Sequence, residues 1–335
     1  MIDENAELGW ALIGCGGAGR SHAVGAAETK GVGVCAFYDT DPERAKSFAT
    51  EFGTRTAGLD EIFADPAIDI VSIATPHDTH SRLALDAFAA GKHVYLEKPM
   101  AMTTVECVQI AEAQRSSGKQ LMLNFSFRFS GAVREAKRRL GPPIASHAQC
   151  MQARADLTAW RWDPVAGGGP LWDVGIHAAD LLCWFHGAAP VEVSAIGGQK
   201  SHPAELAGTD VLDTIAATFK FADGSVSTFL ISDADFNGFA SKWLFEIYGS
   251  GESAVLYEHA KTVAFGVPGD ETAVEMLSPP PADRFPFLLD AIKNGGDSYA
   301  PASSGIVATA VVEAIIASVK SGQTQTLELP PGLAG

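Results

Sequence analysis

The sequence predicts an α/β protein of two domains, in which an N-terminal doubly wound parallel sheet precedes an α+β domain built on an open, mostly antiparallel sheet. Its 335 residues exceed what one ordinary hydrophobic core holds. The first 125 residues alternate short apolar runs with amphipathic segments, which is typical of strand–helix–strand units. From about residue 126, Gly and Asp turns separate the apolar runs instead. We therefore expect domains at 1–125 and 126–335.

The apolar runs of the first part predict buried parallel strands at Trp10–Ile13, Val32–Tyr38, Ile70–Ala74, His93–Leu96 and Leu121–Phe125. Helix signals lie between them: Pro42 begins a helix that stops at Gly53, Gly91 closes another, and Thr103 begins a third with Glu106 as its capping-box partner. Right-handed crossovers then bring the carboxyl ends of the strands to one edge, where ligands bind.

The second part predicts a helix at Phe129–Leu140 and two more near the end, at Phe285–Lys293 and Ser304–Lys320. Predicted strands are Ser146–Arg154, Val191–Gly197, Asp213–Phe221, Ser225–Ser232, Trp243–Tyr248 and Ala254–Tyr257. Ala222-Asp223-Gly224, between two of these strands, is a hairpin signal, so the sheet is expected to be largely antiparallel.

Composition and charge exclude several classes of protein. A net charge of −16 argues against nucleic acid or an anionic membrane as a partner, since both require clustered Lys and Arg. No apolar run approaches the roughly 20 residues that span a bilayer, and the acidic start at Met1–Asn5 is unlike a signal peptide. The five cysteines lack CxxC spacing and favour free thiols. We expect a cytoplasmic protein.

A glycine-rich turn follows the first strand. Gly14, Gly16 and Gly19 fit GxGxxG, where the first glycine makes the tight turn, the second admits a pyrophosphate, and the third lets helix and strand pack closely. Asp39 lies 20 residues beyond Gly19, at the end of the second strand, where a carboxylate binds ribose hydroxyls. Both features predict a Rossmann domain that binds NAD. The Asp39 carboxylate repels the extra phosphate of NADP, and no Arg follows it directly.

Two further motifs carry polar side chains that suit catalysis. Lys98 ends a strand at the ligand edge, and Pro99 restricts it to extended geometry. Asp173 and His177 are four residues apart in a run that predicts a helix, Leu171–Phe185, so they share one face. A carboxylate beside an imidazole favours acid–base chemistry near neutral pH, although a lone helical His is more often a core residue.

Together these motifs resemble the Gfo/Idh/MocA oxidoreductase family. The matching segments are Gly14–Gly19, Thr75-Pro76 with His80, Gly91–Val94 leading to Glu97-Lys98-Pro99, and Gly167–Gly169 leading to Asp173 and His177. The resemblance implies a Rossmann domain and a second domain whose open sheet often forms an oligomer interface, so we expect a homodimer or homotetramer.

The resemblance also implies site roles. Lys98 would donate a hydrogen bond to the reacting hydroxyl of a polyol, inositol or sugar, His177 would take its proton, and Asp173 would assist. Expected cofactor contacts are Gly14, Gly16, Gly17, Ala18, Gly19, Asp39, Thr75, Pro76, His80, Glu97 and Lys98. Expected substrate contacts are Lys98, Asn124, Arg128, Trp162, Asp173 and His177.

Some alternatives stay open at this point. Glu97 either contacts the nicotinamide-side ribose or anchors its turn, and Arg128 either binds substrate hydroxyls or pairs at the domain interface. The stretch Trp160–Asp163, which contains Arg161 and Trp162, suits a sugar pocket or a hydrophobic lid. Where the family often has Asn, this chain has His77, which leaves cofactor contact there open. Cys183 and His186 add no recognised zinc spacing to the Asp173 motif, so no metal is expected.

Two rival functions fit the same fold. One is a glycosidase that uses NAD transiently, which would release sugar without net NADH. The other is a sugar- or NAD-sensing regulator, which we disfavour because Lys98, Asp173 and His177 are all present.

Overall fold

The computed structural model describes residues 8–152, 160–234, 243–267 and 270–329, and they form two compact units. The first unit runs to Asn124 and also takes in Asp283–Gly305, whereas the second starts at Phe125 and resumes at Ile306. The sequence placed one boundary at residue 125 and assigned all later residues to the second domain, whereas residues 283–305 pack with the first unit. The acidic chain start and residues 153 and 154 of one predicted strand lie outside the described ranges.

The first unit is built on a parallel sheet in the order β3-β2-β1-β4-β5-β6. Its strands are β1 Leu8–Ile13, β2 Val32–Tyr38, β3 Arg55–Thr56, β4 Ile70–Ile73, β5 His93–Leu96 and β6 Leu121–Leu123. The strand order reverses between β1 and β4, which is the switch point where Rossmann sheets bind ligands. The predicted doubly wound sheet is confirmed. The short strand β3 was not predicted.

Five helices lie between these strands: α1 Gly17–Glu28, α2 Pro42–Glu51, α3 Leu59–Ala64, α4 His80–Ala89 and α5 Thr104–Ser117. The three whose ends the sequence marks, α2, α4 and α5, lie close to the expected positions, whereas α3 was not predicted. The Thr103 hydroxyl accepts a hydrogen bond from the Glu106 N–H at 3.2 Å and donates one to the Glu106 carboxylate at 2.8 Å. Gly118 ends α5 with φ of 66°, a left-handed conformation that glycine adopts without strain.

The second unit is built on a sheet in the order β14-β13-β12-β11-β7-β10-β9-β8-β15. Its strands are β7 Ala145–Met151, β8 Glu192–Gly198, β9 Thr214–Lys220, β10 Val226–Ser232, β11 Trp243–Tyr248, β12 Ser253–Tyr257, β13 Thr262–Val267, β14 Asp270–Leu277 and β15 Gln325–Thr326. The pair β7–β10 is parallel and the other pairs are antiparallel. The predicted mostly antiparallel sheet is confirmed, while β13, β14 and β15 were not predicted.

The remaining helices are α6 Gly131–Arg139, α7 Ile176–His186, α8 Phe285–Asn294 and α9 Ala302–Ser321. Helix α8 belongs to the first unit because its Phe285 ring packs edge-on against Trp10 and Tyr95, with ring centroids 6.0 and 5.3 Å away. Trp10 lies on β1 and Tyr95 on β5, so a segment far along the chain completes the hydrophobic core against the parallel sheet.

Helix α9 corrects one expectation about hydrophobic length. Its 20 residues are long and apolar enough, by length and composition alone, to cross a bilayer, whereas the sequence analysis found no run of that kind. Of its most apolar stretch, 61% is buried inside the structure. Burial of this extent is what a core helix of a globular domain shows.

A buried histidine in the second unit couples stability to pH. His186 ends α7 and stacks on Phe221 with ring centroids 3.8 Å apart, and its two ring nitrogens lie within 3.0 Å of the Ser146, Ser225 and Ser227 hydroxyls. Burial lowers the pKa of His186 from 6.5 to about 4. Between pH 6.5 and about pH 4, His186 is therefore protonated in the unfolded chain and largely neutral in the folded one.

We expect the free energy of unfolding to fall as pH drops through this interval, by about 2 kcal/mol at about pH 5 for this one group. His186→Gln removes the titration while keeping a polar partner for the serines. Urea unfolding of both proteins at neutral and acidic pH measures the difference. Equal acid losses in the two proteins would rule out His186 as the cause.

Candidate active site

The glycine turn after β1 has the shape that the motif predicts. Gly14 has φ of 99°, and a Cβ on it would lie 2.4 Å from the Ala74 carbonyl oxygen. A Cβ on Gly19 would lie 2.0 Å from the Gly14 carbonyl oxygen. Real Cβ atoms do not approach carbonyl oxygens so closely. Glycine at position 14 therefore lets the turn pass beside Ala74, and glycine at position 19 lets α1 pack against the end of β1.

The outer side of the same turn is open. A Cβ on Gly16 or Gly17 would meet no described atom within 4 Å. Gly16 is the N-cap of α1 and has no side chain to bind the first N–H groups of the helix. Those backbone donors and the positive end of the helix dipole suit a phosphate group. The turn therefore fits the pyrophosphate of a dinucleotide.

Asp39 is fixed beside this turn by the backbone. One carboxylate oxygen accepts a hydrogen bond from the Cys15 N–H at 2.7 Å, and the other accepts one from the Asp41 N–H at 2.8 Å. The side chain is half-buried at the end of β2. A carboxylate held there retains lone pairs for ribose hydroxyls, which supports the predicted role.

The loops after β4 and β5 are tied together by His80. Its ring is completely buried and bridges two carbonyl oxygens, that of Pro99 at 2.7 Å and that of Thr75 at 3.0 Å. Burial lowers the pKa of His80. Thr75 adds a 2.6 Å hydroxyl contact with Thr79. His80 therefore supports the loops that carry Thr75-Pro76 and Lys98-Pro99 rather than presenting its ring at the edge.

Glu97 and Lys98 follow β5 at the same edge. The Glu97 N–H donates to the Ile73 carbonyl at 2.9 Å, and the peptide bond between Lys98 and Pro99 is cis. Lys98 is half-buried. The Glu97 carboxylate contacts the side chains of His22 and Asn124 at 3.1 and 2.5 Å. Of the two roles left open for Glu97, these contacts match the anchoring one.

Asn124, one of the expected substrate contacts, is 4% exposed. Its amide nitrogen donates a hydrogen bond to Glu97, and its amide oxygen accepts one from the Tyr95 hydroxyl at 2.9 Å. Both ends of the amide are thus bonded inside the first unit. Neither His22 nor Tyr95 was expected from the sequence to belong to the site. For His22, the sequence signal that could have indicated it is its position three residues after Gly19, the last glycine of the turn.

In the second unit, Asp173 and His177 lie at the start of the predicted helix. Leu171–Gly175 forms a π-helical turn that leads into α7, where the sequence predicted one continuous helix. Such π turns are rare and frequently occur at functional sites. Asp173 is 7% exposed and His177 is 9% exposed.

Arg161 is the charged neighbour of Asp173, with its Nε 3.4 Å from a carboxylate oxygen. The triple-glycine loop holds it there, because the Gly169 N–H donates to the Arg161 carbonyl at 2.8 Å. A Cβ on Gly167 would lie 2.4 Å from the Arg161 Cα, so the loop can close only with glycine. Arg161 was expected from the sequence to line a sugar pocket or a lid with its neighbours, and its pairing with Asp173 was not expected.

Aromatic rings surround His177. Phe127 and Phe125 meet its ring edge-on, with centroids 5.2 and 6.3 Å away. Trp162, by contrast, is buried with Leu206 and Val211 and so packs in the interior of its unit.

Arg128 is bound within the second unit. Its guanidinium makes two hydrogen bonds to the Asp180 carboxylate, at 2.9 and 2.6 Å, and lies over the Phe125 and Trp184 rings. Arg128 and Asp180 are 4% and 3% exposed. The pair anchors α7 one turn after His177.

The five cysteines are free, and four of them are buried. Burial raises the pKa of the Cys15 thiol, inside the glycine turn, to about 12, so this thiol is unreactive near neutral pH. Across the described ranges, no three His, Cys, Asp or Glu side chains are grouped to hold a metal ion.

Comparison with known proteins agrees with this geometry. Residues 8–125 match the family model described as the oxidoreductase family with an NAD-binding Rossmann fold, and residues 134–255 match the GFO/IDH/MocA C-terminal domain. A 1,5-anhydro-D-fructose reductase of Ensifer adhaerens is 29% identical over 95% of this chain and 98% of its own length.

An inositol 2-dehydrogenase of Acidothermus cellulolyticus is 31% identical over 66% of this chain and 64% of its own length. Among solved structures, GenD2 from gentamicin A biosynthesis, in complex with NAD, has a TM-score of 0.82 and 26% identity, and the match covers 97% of each chain.

Proposed function

The chain belongs to the Gfo/Idh/MocA family of NAD(P)-dependent sugar and polyol oxidoreductases, and from that membership we propose that it transfers a hydride between NAD and a secondary alcohol or carbonyl of a polyol, inositol or sugar. The observation that carries the proposal is the first unit's ligand edge. There an open glycine turn, the fixed Asp39 carboxylate and Lys98 follow strands of one parallel sheet.

The cofactor would be held by backbone and carboxylate groups of the first unit. N–H groups at the start of α1 would bind the pyrophosphate, and Asp39 would bind the ribose hydroxyls of the adenosine. NAD, when bound, supplies the hydride acceptor. The protein's task is then to orient the alcohol and to move its proton.

Lys98 and His177 are our assignments for that task. As the carbon–hydrogen electron pair leaves the carbinol carbon and the C=O bond forms, His177 takes the hydroxyl proton and Lys98 donates a hydrogen bond to the oxygen. Asp173 is charge-paired with Arg161 and lies one turn before His177. We assign to it the role of assisting the imidazole. In the opposite direction His177 returns the proton to a carbonyl.

The substrate class is supported by the relatives, whose names specify an anhydro-sugar and an inositol. A panel of inositols, sugars and sugar acids with the purified protein and NAD tests the proposal through the absorbance of reduced nicotinamide. We expect NADH to accumulate with at least one polyol. Release of sugar without net NADH would instead identify a glycosidase, and absence of both would reject the proposal.

We further propose NAD rather than NADP, and Asp39→Asn tests this preference. The variant keeps an acceptor oxygen for the backbone but loses the charge that repels a 2′-phosphate. The ratio of the NADPH dissociation constant to the NADH one is expected to fall by roughly tenfold, measured by nicotinamide fluorescence without any substrate.

Asp86→Asn, an exposed carboxylate on α4, is the matched control and should leave the ratio unchanged. An Asp39→Asn ratio equal to that of the wild type would contradict the assignment of Asp39.

A further inference from the structure

A polar network of His22, Tyr95, Glu97 and Asn124 lies in the interior of the first unit, next to the Lys98 backbone. We infer that His22 and Asn124 are positioning residues that hold Glu97, and through it the Lys98 backbone, in place for hydride transfer. The inference deepens the proposed function and rests on it for the role of Lys98. It assigns a role to His22 and Asn124, to which the proposed mechanism gives none.

His22 is held on two sides. It lies on α1, three residues after Gly19, and is 1% exposed. Its Nε2 lies 3.1 Å from one Glu97 carboxylate oxygen, and its ring stacks on Tyr95 with centroids 4.2 Å apart and planes 15° apart. No partner for its Nδ1 is found among the described residues. One N–H, at Nε2, is therefore what the site requires of this side chain.

Asn124 closes the network from β6. Its amide oxygen accepts a hydrogen bond from the Tyr95 hydroxyl at 2.9 Å. This contact orients its NH2 group toward Glu97, whose carboxylate oxygen lies 2.5 Å from the amide nitrogen. The Asn124 backbone N–H donates to the Leu96 carbonyl at 2.8 Å. Asn124 is thereby fixed at both backbone and side chain, and its donor cannot drift from the carboxylate.

Glu97 connects these two residues to Lys98. One of its carboxylate oxygens accepts hydrogen bonds from the His22 and Asn124 side chains, and the other lies 3.3 Å from the backbone nitrogen of Lys98. Burial alone would raise the pKa of Glu97, but the hydrogen bonds from His22 and Asn124 and the charge of Lys98 together lower it. Glu97 is therefore a carboxylate with fixed orientation that contacts the backbone of the lysine it helps to place.

The network also connects two ends of the cofactor site. His22 belongs to the helix whose first turn fits the phosphates, and Glu97 precedes the residue assigned to the reacting oxygen. A displacement of about 1 Å at a reacting group costs up to about a hundredfold in rate. Loss of the His22 donor frees Glu97 to rotate and should lower turnover with little effect on cofactor binding.

His22→Leu, which removes the donor at similar volume, tests the inference in the full-length protein. We expect kcat to fall about 10- to 100-fold while the KM for NAD stays within about threefold. His22→Gln, which offers an N–H at a similar position, should restore most of kcat. Tyr95→Phe, a milder change at the same network, should lower kcat severalfold and keeps the test valid if His22→Leu folds poorly.

A double-mutant cycle with Lys98→Ala gives the decisive reading. If His22 acts through Lys98, His22→Leu should cause no further loss in the Lys98→Ala background. Multiplicative losses, or a His22→Gln protein as slow as His22→Leu, would overturn the inference.

Failure of the proposed function is recognised separately, because a wild-type protein that oxidises no polyol rejects that function alone. The network is then judged from the rate at which an amine-directed acylating reagent modifies Lys98, relative to exposed Lys46. A severalfold change in His22→Leu but not in His22→Gln supports the inference, and an unchanged rate overturns it.

Discussion

Lys98→Ala is expected to lower kcat for NADH formation by about a thousandfold. The lysine is assigned to donate a hydrogen bond to an oxygen that gains negative charge as its proton leaves, and one such donor contributes roughly a hundred- to a thousandfold. The measurement is initial velocity with the best polyol of the panel at saturating NAD. Binding of NADH should persist, because the glycine turn and Asp39 are untouched.

Lys46→Ala, at an exposed position on α2, is the matched control and should retain full activity. His177→Ala should lose turnover to a comparable degree, since it removes the proton acceptor. A Lys98→Ala protein with wild-type kcat would remove Lys98 from the mechanism, whatever the fate of His177.

Asp180→Ala is expected to lower the free energy of unfolding by about 3–5 kcal/mol. It leaves the Arg128 guanidinium buried with no carboxylate partner, and an uncompensated buried charge is far more costly than the loss of an exposed one. Asp86→Ala breaks the exposed pair with Arg82, where side chains are 62% and 46% exposed, and should cost less than about 1 kcal/mol.

The double variant Arg128→Met with Asp180→Leu should recover most of that stability, because apolar replacements of a buried pair are often neutral. Urea unfolding followed by tryptophan fluorescence compares all four proteins. Equal losses for Asp180→Ala and Asp86→Ala would show that the pair is not buried in solution as it is in the structure.

Local patterns predicted the first unit well for a physical reason. A strand buried on both faces needs a continuous apolar run, and β1, β2, β4, β5 and β6 all have one. The roles of Gly14 and Gly19 follow from backbone geometry that only glycine permits. Such requirements are written into neighbouring residues, so the sequence alone indicated the fold and the phosphate turn.

Partners distant in sequence were harder to predict. Arg128 and Asp180 are 52 residues apart, and Glu97 and His22 are 75 apart, so no spacing rule joins them. Arg128 and Asn124 were polar residues near a motif, which suggested ligand contact, and the structure shows that internal carboxylates bind both. The pairing of Arg161 with Asp173 depended on a glycine loop whose closure a sequence pattern does not reveal.

The placement of α8 has a consequence for how this protein is made. The Phe285 ring between Trp10 and Tyr95 belongs to the core of a unit whose first strand leaves the ribosome some 270 residues earlier. The first unit therefore cannot complete its hydrophobic core while residues 1–124 are being synthesised. It waits, with an aromatic surface uncovered, until the chain after the second sheet has emerged, and truncation at the apparent domain boundary would leave that surface permanently bare.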